Sequence, residues 1–478
     1  MKPAPVFLTA VTLLSLLCAG SVFCASAAEA DLHDEILGDY LFDQRNARMV
    51  FLYTIYEEDG ALYALTDIAD YPVELRPVAS EERTFRIKYK RAGDFNLKFT
   101  RLEDGVCSEL QMRSNTSDWA AGGKRVEPEL GRLRERYRET PDFYVYRKPM
   151  ALNDGWETTP IRETGIDTTL LYAMMTDIYE NREYMHSVLI VKDGRLVFEE
   201  YMNGWDPARL HRAQSVTKSF TSTVVGLAIE QGLIADIDDP LRQYLPEYSS
   251  LFDYSKNKVS IRHLLTMSAG FDWNEAETYY NDPSRCDAHI AEAGDDYVRY
   301  LLEKPIVTEP GTFWYYNSGY PNILGYIVEK TSGKNITEFA YEHLFEPLGI
   351  KRCCWMATTG ENRPGCAGGL RLTSRDLARY GQLYLNKGVW QGVRVVSERW
   401  VEESVKRRMD AEQGTGYGYL WKSISAGGHE IFFASGTGGQ YVACVPDVNV
   451  VVVTTAIYKT DKGDEVAAML LKYVVPAL

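Results

Sequence analysis

The chain has 478 residues, of which 45% are hydrophobic and 25% charged, and its net charge at pH 7 is −15. A composition of this kind excludes disordered, collagen-like and coiled-coil proteins, and the length is sufficient for about two to three domains. Because an acidic chain repels phosphate backbones, we expect no nucleic-acid partner.

Residues 1–27 have the pattern of a secretory signal peptide. Lys2 provides the positive start, residues 6–17 are apolar but too few to span a bilayer, and Ala25-Ser26-Ala27 is a cleavage sequence. An uncleaved anchor is the alternative. No later run approaches the roughly 18 apolar residues of a membrane span. We therefore expect a mature protein that is secreted or periplasmic and has no membrane span.

Residues 28–118 are predicted to form a small all-β domain. Hydrophobic and polar residues alternate, as in Phe95-Asn96-Leu97-Lys98-Phe99, and turn sequences such as Glu58-Asp59-Gly60 separate the alternating stretches. Short strands at this spacing are typical of an antiparallel sheet that curls into a small barrel or sandwich.

Residues 119–165 are charged and contain Pro and Gly, so we interpret them as a linker with a short helix near residues 128–139.

From residue 166 the pattern becomes mixed α and β. Lys192-Asp193-Gly194-Arg195 joins two apolar stretches as a hairpin turn would. Helical periodicity recurs through the middle of the segment, and two apolar strands, residues 440–445 and 450–456, follow near the end. This order predicts an α+β domain over residues 166–478, with an antiparallel sheet packed with helices.

Six cysteines lie after the predicted cleavage point, and none belongs to a C-x-x-C motif. H-E-x-x-H and histidine pairs at ligand spacing are also absent, so the sequence predicts no metal site and gives no indication of a cofactor. Cys353 or Cys354 could form a disulfide with Cys366, or all three could be buried thiols. The sequence leaves both possibilities open.

The first candidate for chemistry is Ser215-Val216-Thr217-Lys218, an S-x-x-K motif at the start of a predicted helix over residues 215–231. A lysine at this spacing can reach the serine hydroxyl, the helix N-terminus favours a developing oxyanion, and burial would lower the pKa of the lysine so that its neutral amine can act as a base. The motif also occurs by chance, as from Ser255 to Lys258 in a polar loop. A capping serine with an exposed lysine is the structural alternative.

Two further stretches could complete a site. Residues 310–319 combine a turn, aromatic residues and small polar residues before a predicted helix, so they could place a phenol beside the serine and lysine as a proton relay. Residues 434–440 are glycine-rich and begin just before a predicted strand, so their backbone could contribute to an oxyanion hole. Taken singly, each could be structural, as core aromatics at a turn or as a hairpin bend. No G-x-S-x-G sequence supports a Ser-His-Asp hydrolase.

In this order the three stretches resemble the serine β-lactamase and penicillin-recognising fold family, and more closely its class C-like esterase and nylon-oligomer (6-aminohexanoate-dimer) hydrolase branch. The resemblance covers roughly residues 155–478 and includes the stretches 263–273, 343–350 and 369–390. The strand rhythm of the front domain is similar to that of lipocalin-like modules found beside some serine hydrolases.

The resemblance implies that Ser215 is the nucleophile, Lys218 the general base and Tyr316 the proton relay. Tyr316-Asn317-Ser318 then stands where many members have Y-x-N. The register Tyr315-Tyr316-Asn317 restores Y-x-N but shortens the loop by one residue, so Tyr315 stays an alternative relay. The residues implied to bind substrate or the oxyanion are Asn317, Ser318, Ser435, Gly436 and Thr437.

The family's [KH]-[TS]-G strand falls on Ala434-Ser435-Gly436, where the cation is missing. Since that cation helps to hold a substrate carboxylate in transpeptidases and β-lactamases, the resemblance favours a secreted hydrolase of small esters or amides, including peptide-like ones. A β-lactamase or a penicillin-binding D-peptidase is the enzymatic alternative. A non-catalytic ligand receptor on the same scaffold is the alternative from another class.

Overall fold

The computed structural model describes residues 32, 35–44, 49–58, 60–67, 72–79, 81–89, 93–126, 144–275, 282, 284–293, 296–356, 363–457 and 462–478. The predicted signal peptide, residues 1–27, and the helix predicted near residues 128–139 lie outside the described residues. The described residues divide into two compact units, one within residues 1–40, 54–65 and 71–125 and the other within residues 41–53, 66–70 and 126–478.

Within the described residues, the N-terminal part of the chain contributes nine strands to one sheet: β1 (Gly38–Gln44), β2 (Met49–Glu58), β3 (Ala61–Thr66), β4 (Val73–Glu74), β5 (Arg76–Pro77), β6 (Thr84–Tyr89), β7 (Gly93–Glu103), β8 (Val106–Ser114) and β9 (Ala120–Val126). Consecutive strands from β5 to β9 pair antiparallel. Strand β1 joins β9 to β2, and β3 pairs with β2 and β4. The sheet is therefore barrel-like and nearly closed, which confirms the predicted small all-β fold.

Alternation of buried and exposed side chains forms the core of this sheet. In β6, Phe85 and Ile87 are buried while the residues beside Ile87 are exposed, as expected for a strand with one face inward. Phe99 packs its ring edge-on against Tyr40 and Phe85, with ring centroids 5.5 and 5.8 Å apart. Strand β9 (Ala120–Val126) lies within the stretch interpreted as a linker, residues 119–165. The sequence did not indicate this strand because its glycines weaken the strand pattern.

The second unit is built on a sheet of nine strands, again counted over the described residues. Its strands, numbered in chain order, are β10 (Glu157–Thr158), β11 (Met185–Lys192), β12 (Arg195–Tyr201), β18 (Met409–Asp410), β19 (Gly416–Tyr417), β20 (Lys422–Ala426), β21 (His429–Gly436), β22 (Gln440–Val445) and β23 (Val450–Ala456). The strand order is β10-β12-β11-β23-β22-β21-β20-β19-β18. Apart from the parallel pair of β10 and β12, the neighbours run antiparallel.

Both ends of this unit meet in the sheet, as predicted. Strand β11 pairs with β12 through the hairpin at residues 192–195 and, on its other side, with β23 near the C-terminus. Val188 lies opposite Thr454 and Ile190 opposite Val452 in that second pairing. The strands predicted at residues 440–445 and 450–456 are β22 and β23. The predicted α+β class is confirmed.

Helices surround this sheet in the described parts of the second unit. The α-helices are α1 (Thr168–Asn181), α2 (Val216–Glu230), α3 (Leu241–Tyr244), α4 (Ile261–Leu265), α5 (Cys286–Glu292), α6 (Tyr297–Glu303), α7 (Gly319–Ser332), α8 (Ile336–Ala340), α9 (Ser374–Leu385), α10 (Glu398–Val405) and α11 (Gly463–Met469). Short strands accompany them: β13 (His211–Arg212), β14 (Cys353–Trp355), β15 (Leu370–Leu372), β16 (Val389–Trp390) and β17 (Val393–Arg394). Nowhere in the described chain is a helix both long and apolar enough to cross a bilayer.

Helix α2 is the central element of the second unit, since every residue from 216 to 228 is buried. Its Phe220 ring stacks on Tyr380 of α9 with centroids 3.7 Å apart. The buried hydroxyl of Thr223 shares hydrogen bonds with the hydroxyls of Tyr380 and Tyr384, at 2.8 and 2.7 Å. Buried polar groups of this kind are tolerated because they are hydrogen-bonded. The surrounding core therefore fixes the position of the helix and of the residues at its N-terminus.

Candidate active site

Ser215 and Lys218 meet at the start of α2. Lys218 Nζ lies 2.9 Å from Ser215 Oγ and donates a hydrogen bond to the backbone oxygen of Ala367 at 2.8 Å. Lys218 is 2% exposed, whereas Ser215 is half-buried and its side chain makes no capping hydrogen bond. The structural alternative required a capping serine and an exposed lysine. The structure shows neither.

Burial controls the charge of Lys218. It lowers the pKa of Lys218 to about 8, against an opposing effect of the carboxylates of Glu275 and Asp287, which raise it. At neutral pH the neutral amine is therefore a minor form, but it is far more populated than in an exposed lysine. Such an amine can donate to Ala367 and still accept a proton from Ser215 through its lone pair.

Tyr316 covers this pair from the loop before α7. Its ring centroid lies 4.7 Å from Lys218 Nζ, and the Ser215 side chain is close enough to stabilise the ionised phenol by hydrogen bonding. Burial and the charge of Glu275 nevertheless raise the pKa of Tyr316 well above its usual value. The phenol is therefore protonated at neutral pH and can donate a hydrogen bond.

The loop that carries Tyr316 is tied to the end of α4. Gly311 N donates to Ser268 O and Tyr315 N to Met267 O, both at 2.8 Å. Gly311 has a φ of 86°, which a glycine adopts without strain. The structure thus brings Tyr316 to Ser215, while the backbone of the alternative residue, Tyr315, pairs with Met267.

Asn317 and Ser318 stabilise the loop. Asn317 is fully buried and its Oδ1 accepts a hydrogen bond from Gly319 N at 2.8 Å. Ser318 donates from its backbone N and its Oγ to the carboxylate of Glu275, at 2.7 and 2.6 Å. The contacts seen for these two side chains are with the protein, so substrate contact by either residue stays a prediction.

Glu275 is a site residue that sequence reasoning missed. It is 7% exposed, accepts a hydrogen bond from Trp273 Nε1 at 2.9 Å and lies 3.7 Å from Arg285. Together with the two bonds from Ser318, these contacts compensate the burial of its charge. The residue lies two positions after the stretch 263–273, but the sequence alone does not distinguish a buried carboxylate from a solvated one.

The end of β21 lies against the start of α2. A β-carbon added at Gly436 would lie 2.5 Å from Ala213 O and 3.1 Å from Ser215 N, so only glycine fits there. Thr437 follows directly, and Gly439 N donates to Gly436 O at 3.2 Å to form the turn into β22. The chain thus brings the backbone around Thr437 towards the N–H of Ser215, as an oxyanion hole requires.

The other two residues of this strand segment lie on opposite faces. Ala434 is 2% exposed and belongs to the core around α2, whereas Ser435 is half-buried and lies opposite Tyr441. Position 434 therefore adds no charge to the site.

Sequence reasoning missed a lysine on the neighbouring strand, Lys422, whose pKa is lowered by burial and also by the positive charge of Lys218.

The remaining sequence candidates are peripheral. Cys353, Cys354 and Cys366 are buried thiols, and no disulfide links them. The second S-x-x-K match is unlike the first, because Lys258 is paired with Glu309 at 2.8 Å. In the part of the chain that the structure describes, no group of three or more His, Cys, Asp or Glu side chains could hold a metal ion.

The arrangement at α2 is suited to acyl transfer. It combines a hydroxyl, a buried amine of lowered pKa, a protonated phenol and a helix N-terminus that favours negative charge. These are the parts that nucleophilic attack on a carbonyl requires.

Comparison with known proteins identifies the family of the chain. The family described as Beta-lactamase matches residues 182–472, more than half of the chain. The chain is similar to the 6-aminohexanoate-dimer hydrolase of Paenarthrobacter ureafaciens, with 31% identity over 223 residues, 45% of this chain and 55% of that protein. It is also similar to Esterase EstB of Burkholderia gladioli, with 28% identity over 158 residues, 32% of this chain and 40% of that protein. The chain thus spans about half the length of these relatives, or less.

A solved structure extends the comparison to the fold. The octameric penicillin-binding protein homologue from Pyrococcus abyssi superposes with a TM-score of 0.51 at 22% identity, covering 63% of this chain and 76% of that one. The matched range includes Ser215, Lys218 and Tyr316, and every strand of the second unit's nine-stranded sheet except β10. The chain therefore belongs to the beta-lactamase family.

Proposed function

We propose that this protein is a serine hydrolase that cleaves an ester or amide bond through an acyl-enzyme on Ser215. The observation that carries the proposal is the 2.9 Å contact between Lys218 Nζ and Ser215 Oγ beneath the ring of Tyr316. Family membership and the names of two similar proteins, a 6-aminohexanoate-dimer hydrolase and an esterase, support hydrolysis as the reaction.

Acylation begins with proton transfer from Ser215 Oγ to the neutral amine of Lys218. The oxygen attacks the carbonyl carbon of the substrate, and the backbone N–H groups of Ser215 and Thr437 stabilise the tetrahedral oxyanion. Lys218 is held for this step by its hydrogen bond to Ala367, which directs the amine towards Ser215. The general-base role accounts for a buried lysine that contacts no carboxylate among the described residues.

Tyr316 serves the leaving group in this proposal. When the bond to the leaving group breaks, the alkoxide or amine takes a proton from the phenol, and the proton gained by Lys218 replaces it. The raised pKa of Tyr316 supports a donor rather than a resting phenolate. Water then attacks the acyl-enzyme, gives up its proton along the same route in reverse, and the acid leaves as Ser215 Oγ is protonated again.

Esters and amides are favoured over β-lactams because position 434 offers no cation. Ala434 is buried in the core and cannot hold a substrate carboxylate. We expect turnover of p-nitrophenyl esters and little turnover of a chromogenic cephalosporin. Rapid cephalosporin hydrolysis would instead show β-lactamase activity. A stable adduct with labelled penicillin would indicate a penicillin-binding peptidase.

A fluorophosphonate tests the proposal directly, since it forms a stable adduct with an activated serine. We expect one equivalent of probe on Ser215 by intact-mass and peptide mass spectrometry, and p-nitrophenyl acetate turnover that Ser215→Ala abolishes. Ser255→Ala is the matched control, because it removes the serine of the other S-x-x-K match and should leave labelling and turnover unchanged. A wild-type protein that neither labels nor turns over any ester would be a receptor rather than a hydrolase.

We propose in addition that the chain is exported, on the pattern of residues 1–27. Expression of the full chain in a bacterium with a periplasm should yield a mature protein whose mass corresponds to a start at Ala28. An intact N-terminus in the membrane fraction would contradict cleavage and favour the anchor.

A further inference from the structure

Gln440 is a buried polar residue that the proposed mechanism does not use. It closes the glycine-rich stretch 434–440 and is the first residue of β22. Because Gln440 is only 1% exposed, its side-chain amide needs hydrogen-bond partners within the protein. The amide makes three hydrogen bonds, and all of them are to the backbone.

Two of these bonds join Gln440 to the end of β23. Its Oε1 accepts from Ala456 N at 3.0 Å, and its Nε2 donates to Ala456 O at 2.8 Å. The side-chain amide thus pairs with Ala456 as the backbone of a neighbouring strand would. Since a backbone N–H can only donate, Oε1 must face Ala456 N, and only one orientation of the amide satisfies these contacts.

The third bond reaches into the turn between β21 and β22. Nε2 donates its second hydrogen to Thr437 O at 3.1 Å. Two glycines follow Thr437, Gly438 with a φ of 91° and Gly439 with a φ of 105°, and glycine has more conformational freedom than any other residue. Gln440 therefore connects a turn with a flexible backbone to the central sheet.

Hydrogen bonds hold the peptide planes on both sides of Thr437. The plane before it contains Gly436 O and Thr437 N, which point in opposite directions across a trans peptide, and Gly436 O accepts from Gly439 N at 3.2 Å. The plane after it contains Thr437 O, which Gln440 holds. The direction of the Thr437 N–H is thereby fixed. Within the described residues, neither this N–H nor that of Ser215 donates a hydrogen bond to the protein.

We propose that Gln440 is a positioning residue, which holds the N–H of Thr437 in the direction that stabilises the oxyanion of the reacting carbonyl. The inference rests on the proposed function and extends it to a side chain that acts through the backbone of Thr437. Donors that are fixed before the reaction stabilise a developing oxyanion without any cost of reorganisation. Loss of the Gln440 amide would free the turn, while α2 and the loop before α7 would keep the other catalytic groups in place.

A second side chain in the same turn provides a control. Thr454 of β23 is buried and donates from its Oγ1 to Gly439 O at 2.8 Å. This bond also joins the turn to the sheet, but it holds a carbonyl two residues beyond Thr437. Thr454→Val removes the bond and preserves the shape of the side chain. It should therefore disturb the turn without releasing the peptide planes of Thr437.

The test compares two esters that differ in the atom on which the negative charge develops. Phenyl acetate forms an oxyanion, whereas O-phenyl thionoacetate forms a sulfur anion, and sulfur is a weak hydrogen-bond acceptor. The ratio of their kcat/KM values therefore measures stabilisation by the oxyanion hole. Removal of an oxyanion-hole donor costs ~100- to 1,000-fold, so for a misdirected donor we expect Gln440→Met to lower kcat/KM for phenyl acetate by about 10- to 100-fold and the ratio by about 10-fold. Thr454→Val should keep the wild-type ratio.

Measuring both esters on one variant at one pH removes other effects. A partly unfolded fraction, or a change in the pKa of Lys218, cancels in the ratio. Gln440→Glu is a second variant, needed if Gln440→Met does not fold, because it keeps the shape of the side chain and the acceptor for Ala456 N. Only its protonated carboxyl can donate to Thr437 O, so its ratio should fall as the pH rises and the carboxyl ionises. The wild-type ratio should stay constant over the same pH range.

The outcomes separate this inference from the proposed function. If the wild type turns over phenyl acetate but neither Gln440→Met nor Gln440→Glu lowers the ratio at any pH, the inference is wrong and the hydrolase proposal stands. An equal fall of the ratio in Thr454→Val would assign the effect to the turn as a whole and would also overturn the role of Gln440. If Ser215 neither reacts with a fluorophosphonate nor turns over any ester, both proposals fail.

Discussion

The amine of Lys218 donates a hydrogen bond to the backbone oxygen of Ala367 at 2.8 Å while it contacts Ser215. This bond leaves the amine little freedom to rotate, so the lone pair of the neutral form is directed at Ser215 Oγ. A flexible lysine would lose side-chain entropy each time it acted as a base. In this protein the orientation of the Lys218 side chain is already fixed in the folded state.

Replacing Lys218 with methionine keeps the length of the side chain but removes the base. We expect kcat for p-nitrophenyl acetate to fall by about one hundred- to ten thousand-fold, the usual contribution of a positioned general base. Thermal unfolding should show no loss of stability, because an apolar side chain suits a site that is 2% exposed. Lys258→Met, in the other S-x-x-K match, should retain wild-type turnover.

The rate should depend on pH through Lys218. Because burial lowers its pKa to about 8, kcat/KM should rise as the lysine loses its proton and level off above about pH 8. The unfolded chain binds more protons than the folded one between this value and the ordinary lysine pKa, so the free energy of unfolding should rise with pH across that window. Lys218→Met should lack this rise, which a set of urea titrations would measure.

Glu275 should shift the same profile. Its carboxylate raises the pKa of Lys218, so Glu275→Gln should move the acidic limb of the kcat/KM profile to lower pH. The amide can still accept a hydrogen bond from Ser318, which limits the structural damage. A profile that moves to higher pH, or only a uniform loss of activity at all pH values, would contradict this electrostatic role.

The role assigned to Tyr316 predicts a dependence on the leaving group. Tyr316→Phe should slow an alkyl ester, whose alkoxide needs a proton, by about one hundred-fold or more. It should slow a p-nitrophenyl ester far less, since p-nitrophenolate leaves without protonation. Tyr315→Phe is the matched control and should retain most of the activity on both esters. Equal losses for the two esters would assign Tyr316 a role in positioning instead.

Gly436 should tolerate no side chain. Since an added β-carbon would lie 2.5 Å from Ala213 O, Gly436→Ala should shift the start of α2, lower kcat and reduce stability by about 1–3 kcal/mol. Gly122→Ala offers a comparison, because no atom lies within 4 Å of the β-carbon added there. Its catalytic constants should match those of the wild type.

Local patterns in the sequence were sufficient to predict much of the second unit. The apolar periodicity after Ser215 predicted a helix over residues 215–231, and α2 occupies Val216–Glu230. The four-residue turn at 446–449 predicted β22 and β23. Helix α1, Thr168–Asn181, was missed although Leu171, Met174, Met175 and Ile178 recur at helical spacing and are buried.

Glu275 and Lys422 could not be found in this way. The burial of Glu275 depends on Trp273, Arg285 and Ser318, which meet only in the folded chain. Lys422 gains its place from strand pairing with Tyr417 and Phe433, and register between strands distant in sequence is not a local property. The sequence therefore predicts the residues of a contiguous motif, while the electrostatic environment of that motif comes from the tertiary structure.

The burial of α2 from residue 216 to residue 228 connects the nucleophile to the whole interior of the second unit. Loosening of that interior would turn or slide the helix and move Ser215 and Lys218 away from Ala367 and Tyr316. Covalent capture by a fluorophosphonate should thus report the native fraction during denaturant titration, and its midpoint should coincide with that of tryptophan fluorescence. The reactivity of Ser215 therefore measures how cooperatively the second unit unfolds.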